Sequence, residues 1–118
     1  MQAAIKCPSL ADHLTGAKKM QQVLAQPGVL EKFTAGLDDG VAEAVRATFA
    51  GLYELDDTEA GAKATAEGLA NPGRYVLKPQ REGGGNNLYD DELKAALAKM
   101  GPSERAGYIL MDRIVPTT

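Results

Sequence analysis

Residues 74–89 read Arg-Tyr-Val-Leu-Lys-Pro-Gln-Arg-Glu-Gly-Gly-Gly-Asn-Asn-Leu-Tyr and join a β-rich run to a glycine loop. The run at residues 75–78 favours a strand, and Pro79 limits its extension because proline cannot donate to the hydrogen-bond ladder. Residues 83–85 carry no Cβ, so several backbone amide groups could converge there on one anion. The stretch therefore predicts a strand followed by a loop that suits a polyphosphate.

Three charged side chains lie beside these glycines. Lys78 would supply a mobile positive charge, Arg81 a planar guanidinium, and Glu82 an oxygen ligand for the Mg²⁺ that accompanies nucleoside triphosphates. An isolated triple glycine is nevertheless more often a solvated turn between a strand and a helix. The chain has no Gly-x-x-x-x-Gly-Lys-Ser/Thr, and the third glycine of a Gly-x-Gly-x-x-Gly from Gly83 would fall on Leu88. From the chemistry alone, a nucleotide loop and a flexible turn both stay open.

A longer run of residues favours the nucleotide loop. Residues 76–89 resemble the ATP-binding glycine-rich segment of eukaryotic-type glutathione synthetase, an ATP-grasp ligase, and a match of this length is highly specific. Residues 5–8 and 15–19 upstream, and residues 108–114 downstream, are similar to the same family in the same order and at similar spacing. The resemblance covers nearly the whole chain, whereas the family enzyme is several times longer.

The resemblance implies an activity. Family members use ATP to phosphorylate the C-terminal carboxylate of γ-glutamylcysteine, and the amine of glycine attacks the acyl phosphate to give glutathione, ADP and phosphate. Such a site needs positioning and charge neutralisation more than a nucleophilic side chain, so no catalytic side chain is predicted.

It also implies a set of binding residues. Lys18 and Lys78 would hold phosphate oxygens, Glu82 would bind Mg²⁺, and residues 83–85 would cover the γ-phosphate as part of a lid. Residues 111–114 resemble a family strand that passes beside adenine, and the contacts to adenine would come mainly from the backbone of this strand. The expected ATP-binding residues are Lys18, Lys78, Pro79, Gln80, Arg81, Glu82, Gly83, Gly84, Gly85, Asn86, Asn87, Tyr89, Met111, Asp112, Arg113 and Ile114.

Two positions depart from the commonest family pattern. Glu is usual where Asp112 stands, and Gly is often found where Asp90 stands. A strand read through its backbone should tolerate the first change. The second follows Tyr89 directly, and its effect on the loop stays open.

Composition argues against other classes of function. A net charge of −3 over 118 residues gives no overall basic field for nucleic acid or an anionic membrane. No apolar run is long enough to insert across a bilayer, and the N-terminus lacks the apolar core of a signal peptide. Cys7 is the single cysteine, which excludes an internal disulfide and suits a reducing compartment. We therefore expect a cytoplasmic protein.

The pattern predicts an α/β (α+β) fold: one helix-rich, partial ATP-grasp domain over residues 1–118. A helical segment is expected over about 9–70 and a glycine-loop α/β unit over about 74–115. The strands of this unit are expected near 74–79 and 107–115, with a helix starting at residues 90–92.

Local signals place breaks in the helical segment. Ser9 is expected to cap a first helix, which Gly16 interrupts, and residues 27–28 stop a second. Residues 38–40 are expected to open a longer helix, because apolar residues recur on one helical face at Val41, Val45, Phe49 and Leu52.

Two functions from different classes fit this sequence. In the first, the chain is the ATP- and Mg²⁺-binding part of a glutathione synthetase, and the residues that bind γ-glutamylcysteine and glycine lie on sequence outside it. The full-length family enzyme would then be a homodimer. In the second, the chain is a non-catalytic fragment derived from an ATP-grasp enzyme and serves as a structural or interaction subunit of a larger assembly.

Overall fold

Four short strands pair into one antiparallel sheet, in a computed structural model that describes residues 4–5, 7–38, 40–80 and 84–117. The sheet has the order β1-β4-β2-β3, and each neighbouring pair is antiparallel. The strands are β1 (Leu52–Glu54), β2 (Tyr75–Pro79), β3 (Leu88–Tyr89) and β4 (Tyr108–Asp112). The antiparallel pairing makes the fold the α+β form of the predicted class.

Helices account for most of the remaining described chain. They are α1 (Leu10–Thr15), α2 (Lys18–Ala25), α3 (Val29–Thr34), α4 (Val41–Arg46), α5 (Glu59–Ala70), α6 (Asp90–Lys99) and α7 (Pro102–Arg105), with 3₁₀ turns at Pro72–Arg74 and Gly84–Asn86. None of the helices in the described ranges is long and apolar enough to cross a membrane.

The predicted breaks in the helical segment are confirmed. The Ser9 hydroxyl accepts the backbone N–H of Asp12 at 3.1 Å, which caps α1, and Gly16 follows the end of that helix. Gly28 then starts α3 with φ +81°, a left-handed conformation that favours glycine. The Ser9 cap and the two glycines thus set the limits of separate short helices.

The predicted longer helix through Leu52 is wrong. Helix α4 ends at Arg46, and Leu52 is the first residue of β1. Tertiary bonds decide this, because the Gly51 carbonyl accepts the Asp112 N–H at 2.9 Å and the Gly51 N–H donates to the Asp112 carboxylate at 3.1 Å. Helical periodicity cannot report a hydrogen bond to a strand far along the chain. Asp39, at the acidic start predicted for this helix, lies outside the described residues.

One face of the sheet packs against α5 and α6 to form the core. Leu77 of β2 and Leu110 of β4 are fully buried against Leu93 and Leu97 of α6. Burying a leucine side chain contributes roughly 1.5–3 kcal/mol, so these few residues dominate the stability of the sheet. Small residues allow α5 to approach closely; those buried on it are Gly61, Ala64, Thr65 and Gly68.

We expect Gly61→Ala to destabilise the fold more than Gly68→Ala. A Cβ at Gly61 would overlap the backbone carbonyl of Asp56, whereas a Cβ at Gly68 would meet the ends of two side chains, Cδ1 of Leu97 at 2.8 Å and Cδ2 of Leu110 at 3.2 Å. Overpacking lowers stability by about 1–3 kcal/mol, and alanine regains about 1 kcal/mol of helix propensity. Gly61→Ala should therefore lower the free energy of unfolding, and Gly68→Ala should lower it less, by about 0–2 kcal/mol.

Urea unfolding followed by circular dichroism measures both variants. Gly101→Ala is the matched control, because a Cβ at Gly101 meets nothing within 4 Å, and its change should stay within about 0.5 kcal/mol. Equal losses for Gly61→Ala and Gly68→Ala would contradict this account of close packing on α5.

Candidate functional site

The register of the sheet divides the predicted site residues between its two faces. Directly paired residues of antiparallel strands point to the same face. Lys78 pairs with Ile109, and Val76 pairs with both Met111 and Tyr89. Since alternate residues along a strand share a face, all of these lie together. We call this side the lysine face; its residues are Leu52, Glu54, Val76, Lys78, Tyr89, Ile109 and Met111.

The other side, which packs on α5 and α6, carries Pro79 and Asp112. Pro79 is buried and pairs with Tyr108, and Asp112 pairs with Tyr75. Neither side chain can therefore contact a ligand on the lysine face. Their predicted part in the site reduces to their backbone groups.

The side chain of Asp112 has a structural task. Besides the Gly51 N–H, its carboxylate accepts the Tyr53 hydroxyl at 3.3 Å. Burial raises the pKa of Tyr53, and the charge of Asp112 and the hydrogen bond to it raise that pKa further. Asp112 thus holds the edge strand β1 onto β4. The side chain at this position, where the family resemblance leads us to expect glutamate, therefore stabilises the sheet.

An apolar floor surrounds Lys78. Val76 and Ile109 are buried, while Lys78 and Met111 are half-buried. A partly buried cation above apolar side chains can offer both a charge and a surface for a flat ring. Lys78 and Met111 are thus brought onto one surface from strands that lie about 30 residues apart in sequence.

Helix α2 lies beside this floor and is held there by an ion pair. Glu54 pairs with Ile109, which in turn pairs with Lys78, so the three form one row across the sheet. Glu54 makes an ion pair with Lys19 of α2. Lys18, the first residue of α2, is half-buried. The ion pair is made by Lys19 and places the helix that carries Lys18 next to the lysine face.

A cleft of about 370 Å³ continues the lysine face beneath α2. Gln22 is only 6% exposed, and its Oε1 has no hydrogen-bond partner among the residues that the structure describes. Lys18 lies four residues before Gln22 and so projects from the same side of the helix. The cleft is lined by Lys19, Gln22, Glu54, Leu55, Asp56, Gln80, Ala106, Tyr108 and Ile109.

Most of the cleft residues were not predicted from sequence. Gln80 was, and its backbone N–H donates to the Gly107 carbonyl at 2.9 Å, which fixes the chain just after β2. Asp56 is occupied locally, because the Thr58 hydroxyl donates to it at 2.6 Å and lowers its pKa. The one available signal for Gln22 was its spacing of four from Lys18 on an amphipathic helix.

The glycine loop is described only in its second half. Arg81, Glu82 and Gly83 lie outside the described residues, so their predicted roles are not tested. The 3₁₀ turn Gly84–Asn86 follows, and a Cβ on Gly85 would meet nothing within 4 Å. Asn86 is exposed and Asn87 is half-buried. In the described ranges, no three His, Cys, Asp or Glu side chains cluster as metal ligands.

Arg113, which follows β4, reaches across to the end of β3. Its Nη1 donates to both carboxylate oxygens of Asp90, at 3.1 and 3.2 Å, and its guanidinium carbon lies 5.5 Å from the ring centre of Tyr89. Its backbone N–H donates to the Arg74 carbonyl at 2.8 Å. Ile114 is 68% exposed and lies beyond the strand. Asp90, which the sequence did not place in the site, therefore contacts a predicted site residue.

Comparisons with known proteins agree on one family. Residues 1–118 match the family model described as eukaryotic glutathione synthase, ATP binding domain. Glutathione synthetase of Homo sapiens is 57% identical over 114 residues, which are 96% of this chain and 24% of that protein. The Dictyostelium discoideum glutathione synthetase is 51% identical over 112 residues, 95% of this chain and 23% of that protein. The chain spans about a quarter of the length of these relatives.

A solved structure shows the same relationship. A glutathione synthetase-like effector from Globodera pallida, in its apo form, superposes with a TM-score of 0.65 at 30% sequence identity. The match covers 97% of this chain and 22% of the effector chain. The likeness in fold therefore extends over the same part of the protein as the likeness in sequence.

Proposed function

Because the chain belongs to the family of eukaryotic glutathione synthase ATP-binding domains, we propose that it binds ATP on the lysine face. In a protein of the length of its relatives, that ATP would drive ligation of glycine to γ-glutamylcysteine through an acyl phosphate. The observation that carries the proposal is the sheet register, which brings Lys78, Tyr89 and Met111 to one face. Beside them, α2 presents Lys18 from the side of the helix that carries the buried Gln22.

The two ends of the lysine face suit the two ends of a nucleotide. The apolar residues Val76 and Met111 and the ring of Tyr89 form one end, which suits a purine. Lys78 lies two residues further along β2, about 7 Å away, toward the glycine loop. That end suits phosphates, because a cation and glycine amides can neutralise and bind their oxygens.

The donor chemistry also fits Mg²⁺ in part. Carboxylate oxygens are the protein ligands that Mg²⁺ prefers, and we propose Glu82 for this role. Bound there, Mg²⁺ would neutralise charge on the transferred phosphate. Since no cluster of three acidic, His or Cys ligands lies within the described residues, further ligands would come from the phosphates, water or other sequence.

The domain's own part in the reaction is then positioning. Lys18 and Lys78 would hold the phosphates, the lysine face would orient the base, and residues 83–85 would cover the γ-phosphate against water. The acyl donor and acceptor would bind elsewhere in the longer protein, together with the homodimer contacts. We propose a cytoplasmic location because a single cysteine suits a reducing compartment, and fractionation of expressing cells would check it.

Lys78→Met should weaken binding of ATP more than binding of AMP. The substitution removes a half-buried charge with little change of volume, and the two nucleotides differ in the β- and γ-phosphates. Losing a charged contact of this kind corresponds to about a tenfold rise of the Kd for ATP. Calorimetric titration of the purified chain with each nucleotide measures this.

Lys63→Met is the control, because Lys63 lies on α5 at the opposite face of the sheet. It should leave both affinities unchanged. An equal loss of ATP and AMP affinity in Lys78→Met would place Lys78 near the base or the α-phosphate. If the parent chain binds no ATP at all, the proposed ATP site is rejected.

Glu82→Gln should reduce the effect of Mg²⁺ on ATP binding. Without metal, the variant should bind ATP as well as the parent or slightly better, because a negative charge near the phosphates is gone. With Mg²⁺, the gain in affinity should be smaller than in the parent. Titrations with and without Mg²⁺ measure the difference, Glu92→Gln on α6 is the control, and an intact Mg²⁺ effect would exclude Glu82 as a ligand.

The ligase function is tested by a chimera. Replacing the matching 114 residues of human glutathione synthetase with this chain should give a protein that makes glutathione from γ-glutamylcysteine, glycine and ATP. Lys78→Met in the chimera should lower the rate by about tenfold. Glutathione is measured by mass spectrometry. A folded chimera that binds ATP but forms no glutathione would contradict a ligase role for this domain.

A further inference from the structure

The contacts at the base end of the lysine face form a brace made of Tyr89, Asp90 and Arg113. Arg113 and Asp90 are 23 residues apart in sequence and are joined by one guanidinium nitrogen that contacts both carboxylate oxygens. Asp90 starts α6, and Arg113 follows β4. Because β2 lies between β4 and β3 in the sheet, the ion pair spans the start of β2. The backbone hydrogen bond from the Arg113 N–H to the Arg74 carbonyl holds Arg113 beside the start of β2.

Tyr89 is held by a short strand and also contacts this brace. Strand β3 has two residues and lies at the edge of the sheet, so few ladder hydrogen bonds hold it. The Tyr89 ring is 41% exposed, and the Arg113 guanidinium lies within cation–π distance of it. Arg113 is therefore a direct contact of this ring, in addition to the strand that carries it.

Asp90 makes this contact from an unusual backbone conformation. Its φ is +46°, which makes it the non-glycine residue with positive φ among those described. Asn and Asp are tolerated in this region better than other side chains, although glycine would be free of strain. The carboxylate at this position neutralises Arg113, so the base end of the lysine face holds a paired guanidinium.

We propose that Asp90, acting through Arg113, positions the Tyr89 ring for the base of the bound nucleotide. The inference rests on the proposed ATP site and makes Asp90 a positioning residue rather than a catalytic one. Because the ion pair and the ring lie at the base end, the brace should affect the nucleoside part of the ligand. Contacts to the phosphates should not depend on it.

The test uses Asp90→Asn, which keeps the shape and the tolerance of positive φ but removes the charge. ATP, AMP and inorganic tripolyphosphate serve as probes in calorimetric titration of the whole chain. Affinity for ATP and for AMP should fall by the same factor, about two- to fivefold, as expected for an exposed ion pair with a cation–π contact. Affinity for tripolyphosphate should not fall, because the brace lies at the base end and makes no contact to the phosphates.

Asp91→Asn is the matched control, since it removes an equal charge from the first turn of the same helix. It should leave the ratio of AMP to tripolyphosphate affinity unchanged. Arg113→Lys keeps the charge but not the planar guanidinium over the ring, and should give an intermediate loss for AMP. Arg113→Gln should lower the affinity for AMP as Asp90→Asn does, because it removes the same contacts to the ring, and it provides the test if Asp90→Asn folds poorly.

The outcomes separate this inference from the proposed function. If the parent chain binds neither ATP nor AMP, the proposed site itself fails. If the parent binds both and Asp90→Asn matches Asp91→Asn, the positioning role is overturned. Equal losses for AMP and tripolyphosphate in Asp90→Asn would overturn it as well, because they would indicate a general change of charge or fold.

Discussion

The pairing of β2 with β4 aligns five residues of each strand, from Tyr75 opposite Asp112 to Pro79 opposite Tyr108. Each aligned pair sends its side chains to one side, so this register decides which residues enter the core and which remain for a ligand. A slip by one residue would exchange Leu77 with Lys78 and place a charge in the core. The fully buried Leu77 and Leu110 make that slip costly, and in this way the core secures the candidate site.

One side of the sheet stabilises the fold, and the other side forms the candidate binding surface. The side against α5 and α6 is filled by leucines and small residues, and Asp112 uses its carboxylate there to hold β1. The polar groups come from different elements: Glu54 lies on the edge strand β1, Lys78 lies near the end of β2 that leads to the glycine loop, and Arg113 follows β4 at the opposite end. A nucleotide between these groups would gain apolar contact below and charge contacts at the rim, a common design for small-molecule sites.

The position of α2 links the helical segment to the sheet. Lys19 and Glu54 pair while partly exposed, so their ion pair adds little to stability but restricts how the helix sits. That restriction matters for Lys18 and Gln22, which share one side of α2. In the proposed site, Lys18 and Lys78 reach the phosphates from segments 60 residues apart, so a weak surface ion pair can still decide whether Lys18 faces the ligand.

Local chemistry in the sequence was sufficient for the helix cap at Ser9, the start of α6, the strand ending at Pro79 and the family itself. The local features depend on neighbouring residues, and the family was indicated by a long stretch of sequence that resembles its members. Only the tertiary structure decided that Leu52 belongs to a strand, that Asp112 faces the core, and that Asp90 meets Arg113. Each of these rests on a bond between residues more than 20 positions apart, and no periodicity within one segment can encode which distant partner a strand or a side chain will find.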